Sequence, residues 1–364
     1  MSEQSTSAGP GRAPDVDGVT NPVPQSAESR QAERAAGSRG QSSMAVLMSG
    51  SFGRNIGLVL ALLLICAAGV FTAGDRFASV DNVLTVLRFA SALGVVAIGM
   101  TFVITGGGID LSVGALVALC SVWATTFATQ TMAEDTTWLV MVFAALAVGA
   151  GAGLVNGLII AYGKVVPFIT TLAMLAAARG LAEIISERRT QIITVDGYLD
   201  FFRSDFLGVP ILVLIFALVA VAGWVLLNRT TFGRRTLAVG GNPEAARLAG
   251  INVNRHTVML YVLVGVCCGL AALMLAARTT TGSSTHGYLW ELDAIAAVVI
   301  GGASLYGGRG SVIGTLLGVL IMVMIRNGLN LMGVSPFWQG TAIGSIIIIA
   351  LLAERLINWR SNRG

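Results

Sequence analysis

The chain has 364 residues, of which 55% are hydrophobic and 12% charged, with 45 glycines and a mean hydropathy of +0.79. A soluble domain carries about 25% charged residues, and one large soluble core would need polar outer faces that most of these apolar runs lack. The composition therefore points to a polytopic membrane protein. The net charge of +4 is not a nucleic-acid footprint, because the basic residues lie in the N-terminal tail and in short loops, with no basic stripe or reading motif.

Residues 1–51 are rich in Ser, Gly, Ala, Pro and Arg. Such a segment cannot bury enough apolar area to offset its ordering entropy, so a disordered cytoplasmic tail is expected. It has no apolar core near Met1 and does not read as a signal peptide. A transmembrane domain over residues 52–359 follows, and residues 360–364 form a cytoplasmic C-terminus. Apolar runs cover residues 56–73, 89–105, 111–128, 138–162, 168–185, 209–227, 257–277, 292–305, 311–325 and 337–357. Each approaches the ~20 residues that cross the hydrocarbon core, although the eighth is unusually short. The expected fold is thus all-α, with about ten transmembrane helices. Residues 74–87 have apolar positions at helical spacing and suggest an interfacial helix.

An even number of spans puts both termini on one side. Counted from a cytoplasmic tail, Lys164, residues 229–255, Arg309 and the C-terminal arginines fall inside. Residues 186–208 fall outside yet hold Arg188, Arg189 and Arg203, against the rule.

Four cysteines lie within apolar runs and read as small core residues without metal or redox spacing. The two histidines are too scattered for a metal site; His256 is expected at a membrane interface and His286 in a loop. No GxSxG, HExxH or GxxxxGK[ST] motif appears, so no enzyme chemistry and no cofactor are expected.

Polar residues beside apolar runs are the candidate pathway or gate. Asp110 follows Gly106-Gly107-Gly108-Ile109 and either faces the bundle interior or caps the helix that begins at Leu111. Ser112 belongs to the same stretch. Glu291 and Asp293 flank the start of the short eighth span, as pathway groups or as favourable charge at a helix N-terminus. Asn156, Asn327 and Asn330 are amides that need partners in lipid, as interhelical glue or as pathway lining. Thr170 and Thr171 are placed to bond back to their own helix. The segment around Gly106 also echoes the one around Gly307, each following one apolar run and opening another.

Residues 230–256 are polar, basic and Gly-punctuated amid this apolar sequence. Within them Asn242 is an N-cap, Pro243 stands at N1 and Glu244 sits in the first turn, while Gly250 is the natural C′ residue. Ala245, Leu248 and Ala249 give the helix a small apolar face. A two-turn helix cannot hold itself together in water, so it must dock on something. Gripped by a soluble motor, it would need no intramembrane proton relay.

The motifs GGGIDLSVGAL (106–116), NGLII (156–160), PFITTLAML (167–175), ARG (178–180), FGRRTLAVGGNPEAARLAGINV (232–253), ELDAIAAVVIGGASLYGGRGSVIGT (291–315) and NGLNLMGV (327–334) occur in this order. Together they make residues 57–354 resemble the permease subunit of a monosaccharide ABC importer of the ribose/xylose/arabinose type. The resemblance implies a bacterial cell-membrane protein, a second permease copy or paralogue, and an extracytoplasmic sugar-binding protein. It also implies two cytoplasmic ATP-binding subunits, which bind the ATP. In such importers a cytoplasmic coupling helix fits the ATPase, and the matching segment here carries Asn242, Glu244, Arg247, Leu248 and Gly250. A branched-chain amino-acid permease of the same superfamily and a gradient-driven carrier are the alternatives.

Overall fold

The computed structural model describes residues 51–335 and, beyond them, residues 338, 340, 341, 344 and 345. The tail over residues 1–50, most of the tenth apolar run and residues 360–364 lie outside the described residues. Among those described, seven helices are long and apolar enough to cross a membrane, or up to eight if one bent pair counts as a span. The chain is therefore an all-α, multi-pass membrane protein.

Helix α1 (Ser51–Ala73) leads through the short α2 (Asp75–Ala78) to α3 (Val80–Thr105). The expected break between an interfacial helix and the second span is absent, because α3 is one helix of 26 residues. Ser79 caps it by accepting the Asn82 N–H, so Asp81 and Arg88 fall within the helix rather than before it. After a loop over residues 106–112, α4 (Val113–Ala124) meets α5 (Phe127–Asp135) at a 53° bend. Every residue of α4 except Trp123 is buried, which makes it the central helix, packed against α6 (Leu139–Ala161), α7 (Pro167–Ser186) and α12 (Val253–Thr279).

The most extensive helix contact among the described residues is between α6 and α12. A Cβ on Gly149 would lie 2.2 Å from the Gly265 carbonyl oxygen, and one on Gly153 2.2 Å from that of Tyr261. Small residues at four-residue spacing let two backbones touch, the usual solution where lipid supplies no hydrophobic drive.

Residues 186–208, expected as a loop, carry local structure. β1 (Gln191–Ile192) pairs antiparallel with β4 (Thr281–Gly282), Gln191 opposite Gly282. The amphipathic α8 (Asp196–Arg203) buries Tyr198 and Phe202 and stacks Phe201 on Trp138 at 4.9 Å. The Tyr198 hydroxyl donates to the Leu273 carbonyl at 2.5 Å, and burial pushes its phenol pKa up. β2 (Asp205–Phe206) and β3 (Val209–Pro210) form a hairpin before α9 (Ile211–Arg229).

At the opposite end of the bundle lie α10 (Thr231–Gly241) and α11 (Pro243–Leu248). His256, expected at an interface, is buried in α12 with Nε2 2.9 Å from Thr236 Oγ1 of α10. After β4, a coil over residues 283–289 leads to α13 (Trp290–Ile300) and then to α14 (Val312–Leu331). The two helices run antiparallel, with Gly301 against Gly314 and Ala297 against Gly318. The 11 residues of α13 rise about 16 Å, roughly half of the hydrocarbon thickness.

Candidate functional site

Buried polar groups concentrate at two connections, the loop over residues 106–112 and the coil over residues 283–289. At the first, Asp110 is fully buried and Ser112, rather than Asp110, holds the N-cap position of α4. Asp110 instead folds back on its own loop. Its Oδ1 accepts the Ser112 N–H at 2.8 Å and the Ser112 hydroxyl at 2.5 Å. The same hydroxyl accepts Asn156 Nδ2 at 3.0 Å, so three of the expected residues form one hydrogen-bonded chain between the loop and α6. Asp110 Oδ2 and Asn156 Oδ1 are buried without a partner.

Thr171 belongs to the same site. Its hydroxyl donates back to the Pro167 carbonyl at 3.0 Å and accepts the Leu111 N–H at 3.1 Å. The back-bond was expected; the tie to the broken segment was not. Thr170 is buried alongside and its hydroxyl has no partner.

At the second, the coil over residues 283–289 runs along α4. His286 is buried there, with Nδ1 2.8 Å from Ser121 Oγ. Arg179, halfway along α7, reaches across to donate to the carbonyl oxygens of Ser284 and His286. Both coil carbonyls would otherwise be left without a donor, and an unmade buried hydrogen bond is costly. In the first turn of α13 that follows, Glu291 is buried against Gly114 of α4 and its Oε2 has no partner. Two residues on, Asp293 pairs with Arg326 of α14 at 3.0 Å. Asn327 Nδ2 donates to Asn82 Oδ1 at 2.9 Å, an amide bridge between α14 and α3. Asn330 lines a crevice with Trp290, Phe89 and Arg326.

Arg179, Ser121 and Arg326 were not singled out from the sequence, and His286 was expected only as a loop residue, where it lies. A cation inside an apolar run was the available signal, since such residues face the bundle interior and need a partner.

The third feature is α11. Asn242 Oδ1 accepts the N–H groups of Glu244 and Ala245, both at 3.0 Å, and Pro243 stands at N1. Gly250 follows the last turn at φ +82°, as its C′ position requires. Glu244 and Arg247 pair at 2.7 Å on the surface. Ala246 faces inward, whereas Leu248 is 85% exposed. The apolar face of this helix is thus turned away from its own bundle.

The family described as "Branched-chain amino acid transport system / permease component" matches residues 82–351. The ribose import permease protein RbsC of Bacillus subtilis (strain 168) is 45% identical over 276 residues, 75% of this chain and 84% of that protein. RbsC of Escherichia coli (strain K12) is 40% identical over 301 residues, 81% of this chain and 92% of that protein. The galactose/methyl galactoside import permease protein MglC of the same strain is 36% identical over 315 residues, 82% of this chain and 94% of that protein. No solved structure matches the chain. With the family match over residues 82–351 and these identities sustained over most of its length, the chain belongs to this family of membrane permease components.

Proposed function

We propose that this chain is the membrane-spanning subunit of an ATP-driven importer for a monosaccharide, a pentose or a similar sugar. The observation that carries the reading is the 45% and 40% identity to ribose import permeases, sustained over 84% and 92% of their lengths. The subunit is non-catalytic. Separate cytoplasmic ATP-binding subunits bind and hydrolyse ATP, an extracytoplasmic protein delivers the sugar, and a second copy or a paralogue of this chain completes the pathway. Ten spans in a bacterial cell membrane then leave both termini in the cytoplasm.

In this reading α11 is the coupling helix. Its exposed Leu248 and the Glu244–Arg247 pair supply an apolar knob and a polar rim for a groove on the ATP-binding subunit. The Asp110–Ser112–Asn156 chain with Thr170 and Thr171, and the Glu291, Asp293, Asn327 and Asn330 group, line or gate the sugar path. Unpaired acceptors such as Asp110 Oδ2 and Glu291 Oε2 suit hydroxyl donors.

The test is uptake by proteoliposomes holding this chain, its ATP-binding subunits and its binding protein, with pentoses, hexoses and leucine as substrates. ATP-dependent uptake of a sugar is expected. The description of the matched family favours a second reading, a branched-chain amino-acid permease, and leucine uptake in the same assay would establish it. Protonophore-sensitive uptake by vesicles containing this chain alone would instead make it a gradient-driven carrier.

A further inference from the structure

The two Gly-rich segments that echo each other in sequence touch in the structure, and a third joins them. Gly107 lies in the loop after α3, Gly240 at the end of α10, and Gly307 and Gly308 in the loop between α13 and α14. A Cβ on Gly307 would lie 2.5 Å from the Gly240 carbonyl oxygen and 2.9 Å from Gly107 Cα. One on Gly240 would lie 1.9 Å from the Thr105 carbonyl oxygen and 2.6 Å from the Gly308 nitrogen. The Gly308 N–H donates to that Thr105 carbonyl at 2.9 Å, which fastens two of the segments together. Gly107, Gly307 and Gly308 have φ of +85°, +82° and +74°, so both loops depend on glycine to turn here.

Three backbones in direct contact leave no soft side chain between them to absorb a displacement. Each arm of the junction is also short. Gly240 is two residues before Asn242, the cap of α11. Gly107 is three residues before Asp110, which organises the loop that opens α4. Gly308 is three residues before Ser311, whose hydroxyl caps α14 by accepting the Gly314 N–H at 3.1 Å.

We propose that this glycine junction is the linkage by which movement of α11 reaches the two loops that open α4 and α14, with Gly240 as the positioning residue. The proposal rests on the reading of α11 as the surface gripped by the ATP-binding subunit. A push on α11 shifts Gly240 against Thr105 and Gly307 together, and so moves the starts of α4 and α14 in one step. A purely structural junction would hold the loops in place without responding to the motor.

Hydrogen–deuterium exchange on the unaltered complex of this chain with its ATP-binding subunits, nucleotide-free and trapped with ATP, tests this. Exchange over residues 238–250, 105–112 and 304–311 is expected to change together, by at least about threefold. A response confined to 238–250 overturns the linkage and leaves the docking of α11 intact, whereas no response at 238–250 overturns both. Gly240→Ala and Gly241→Ala add a functional readout, since a Cβ on Gly241 comes no nearer than 4.0 Å to Gly308 Cα. Gly240→Ala is expected to keep subunit assembly and ATP hydrolysis within twofold while sugar uptake falls at least tenfold. Gly241→Ala is expected to keep both within twofold. Unchanged uptake in Gly240→Ala, or loss of subunit assembly in it, overturns the proposal. Should Gly240→Ala fail to enter the membrane, exchange on the unaltered complex decides alone.

Discussion

Asp293 on α13 and Arg326 on α14 form an ion pair at 3.0 Å in which the two partners are unequally shielded. The Asp293 side chain is 5% exposed and that of Arg326 40%. Removing either charge is therefore not equivalent. Arg326→Met strands a carboxylate in the bundle, at a cost of about 3 kcal/mol. Asp293→Asn leaves a guanidinium that still reaches its surroundings, at a cost of about 1 kcal/mol. Thermal unfolding of the detergent-solubilised protein should rank the two in that order, and the double variant should recover much of the loss. Equal single effects would mean that Arg326 does not neutralise Asp293.

The surface of α11 separates stability from assembly. Leu248 makes little contact with its own chain, so Leu248→Glu should leave the melting temperature unchanged. Co-purification of the ATP-binding subunit should fall at least tenfold. Asn242→Ala removes the cap of the same helix and should cost about 1 kcal/mol locally, with weaker assembly as a result. Glu244→Arg breaks only an exposed pair, worth about 0.5 kcal/mol, yet should uncouple ATP hydrolysis from uptake. Normal assembly in Leu248→Glu would remove α11 from the docking surface.

The parts that were legible in the sequence are those fixed by neighbours in the chain. Cap, N1 proline and C′ glycine of α11 all lie within nine residues, so local chemistry alone specifies the helix. The break at residues 106–112 was visible for the same reason. The burial of Asp110 was not, because the group that shields it includes Asn156 on another helix, and a cap and a buried Asx-type turn begin with the same residue. Arg179 was hidden differently. Its partners are backbone carbonyls of Ser284 and His286, which carry no residue-type signature, and its charge is averaged away in an apolar run. The echo between Gly106 and Gly307 was readable as similarity, but their contact depends on how α10 packs between the loops.

Ser112 is the pivot of the first polar chain, since its hydroxyl donates to Asp110 and accepts from Asn156. Ser112→Ala removes both bonds at once; Asp110 Oδ1 keeps the Ser112 N–H but Asn156 Nδ2 is left without an acceptor, a loss of about 1–3 kcal/mol. Asp110→Asn keeps the shape and the acceptor for the Ser112 N–H but removes the charge. If the chain only ties the loop to α6, Ser112→Ala should melt earlier while Asp110→Asn transports normally. If Asp110 faces the path, Asp110→Asn should lower uptake at least fivefold with little change in melting. The second outcome is expected, because Asp110 Oδ2 is left without any structural partner.

Arg179 should control access to the coil over residues 283–289. Its Nη1 alone donates to two carbonyl oxygens, and the shorter side chain of lysine reaches them less well. Ser284 is buried beneath this contact, so a cysteine at that position should react slowly with a membrane-impermeant maleimide. In the Arg179→Met background the two carbonyls lose their donor and the coil is held mainly by the Ser121–His286 bond. Labelling of Ser284→Cys should then accelerate at least fivefold, with Arg179→Lys in between. If the rate does not change, the coil is held by its packing against α4 at Gly114 and Val117.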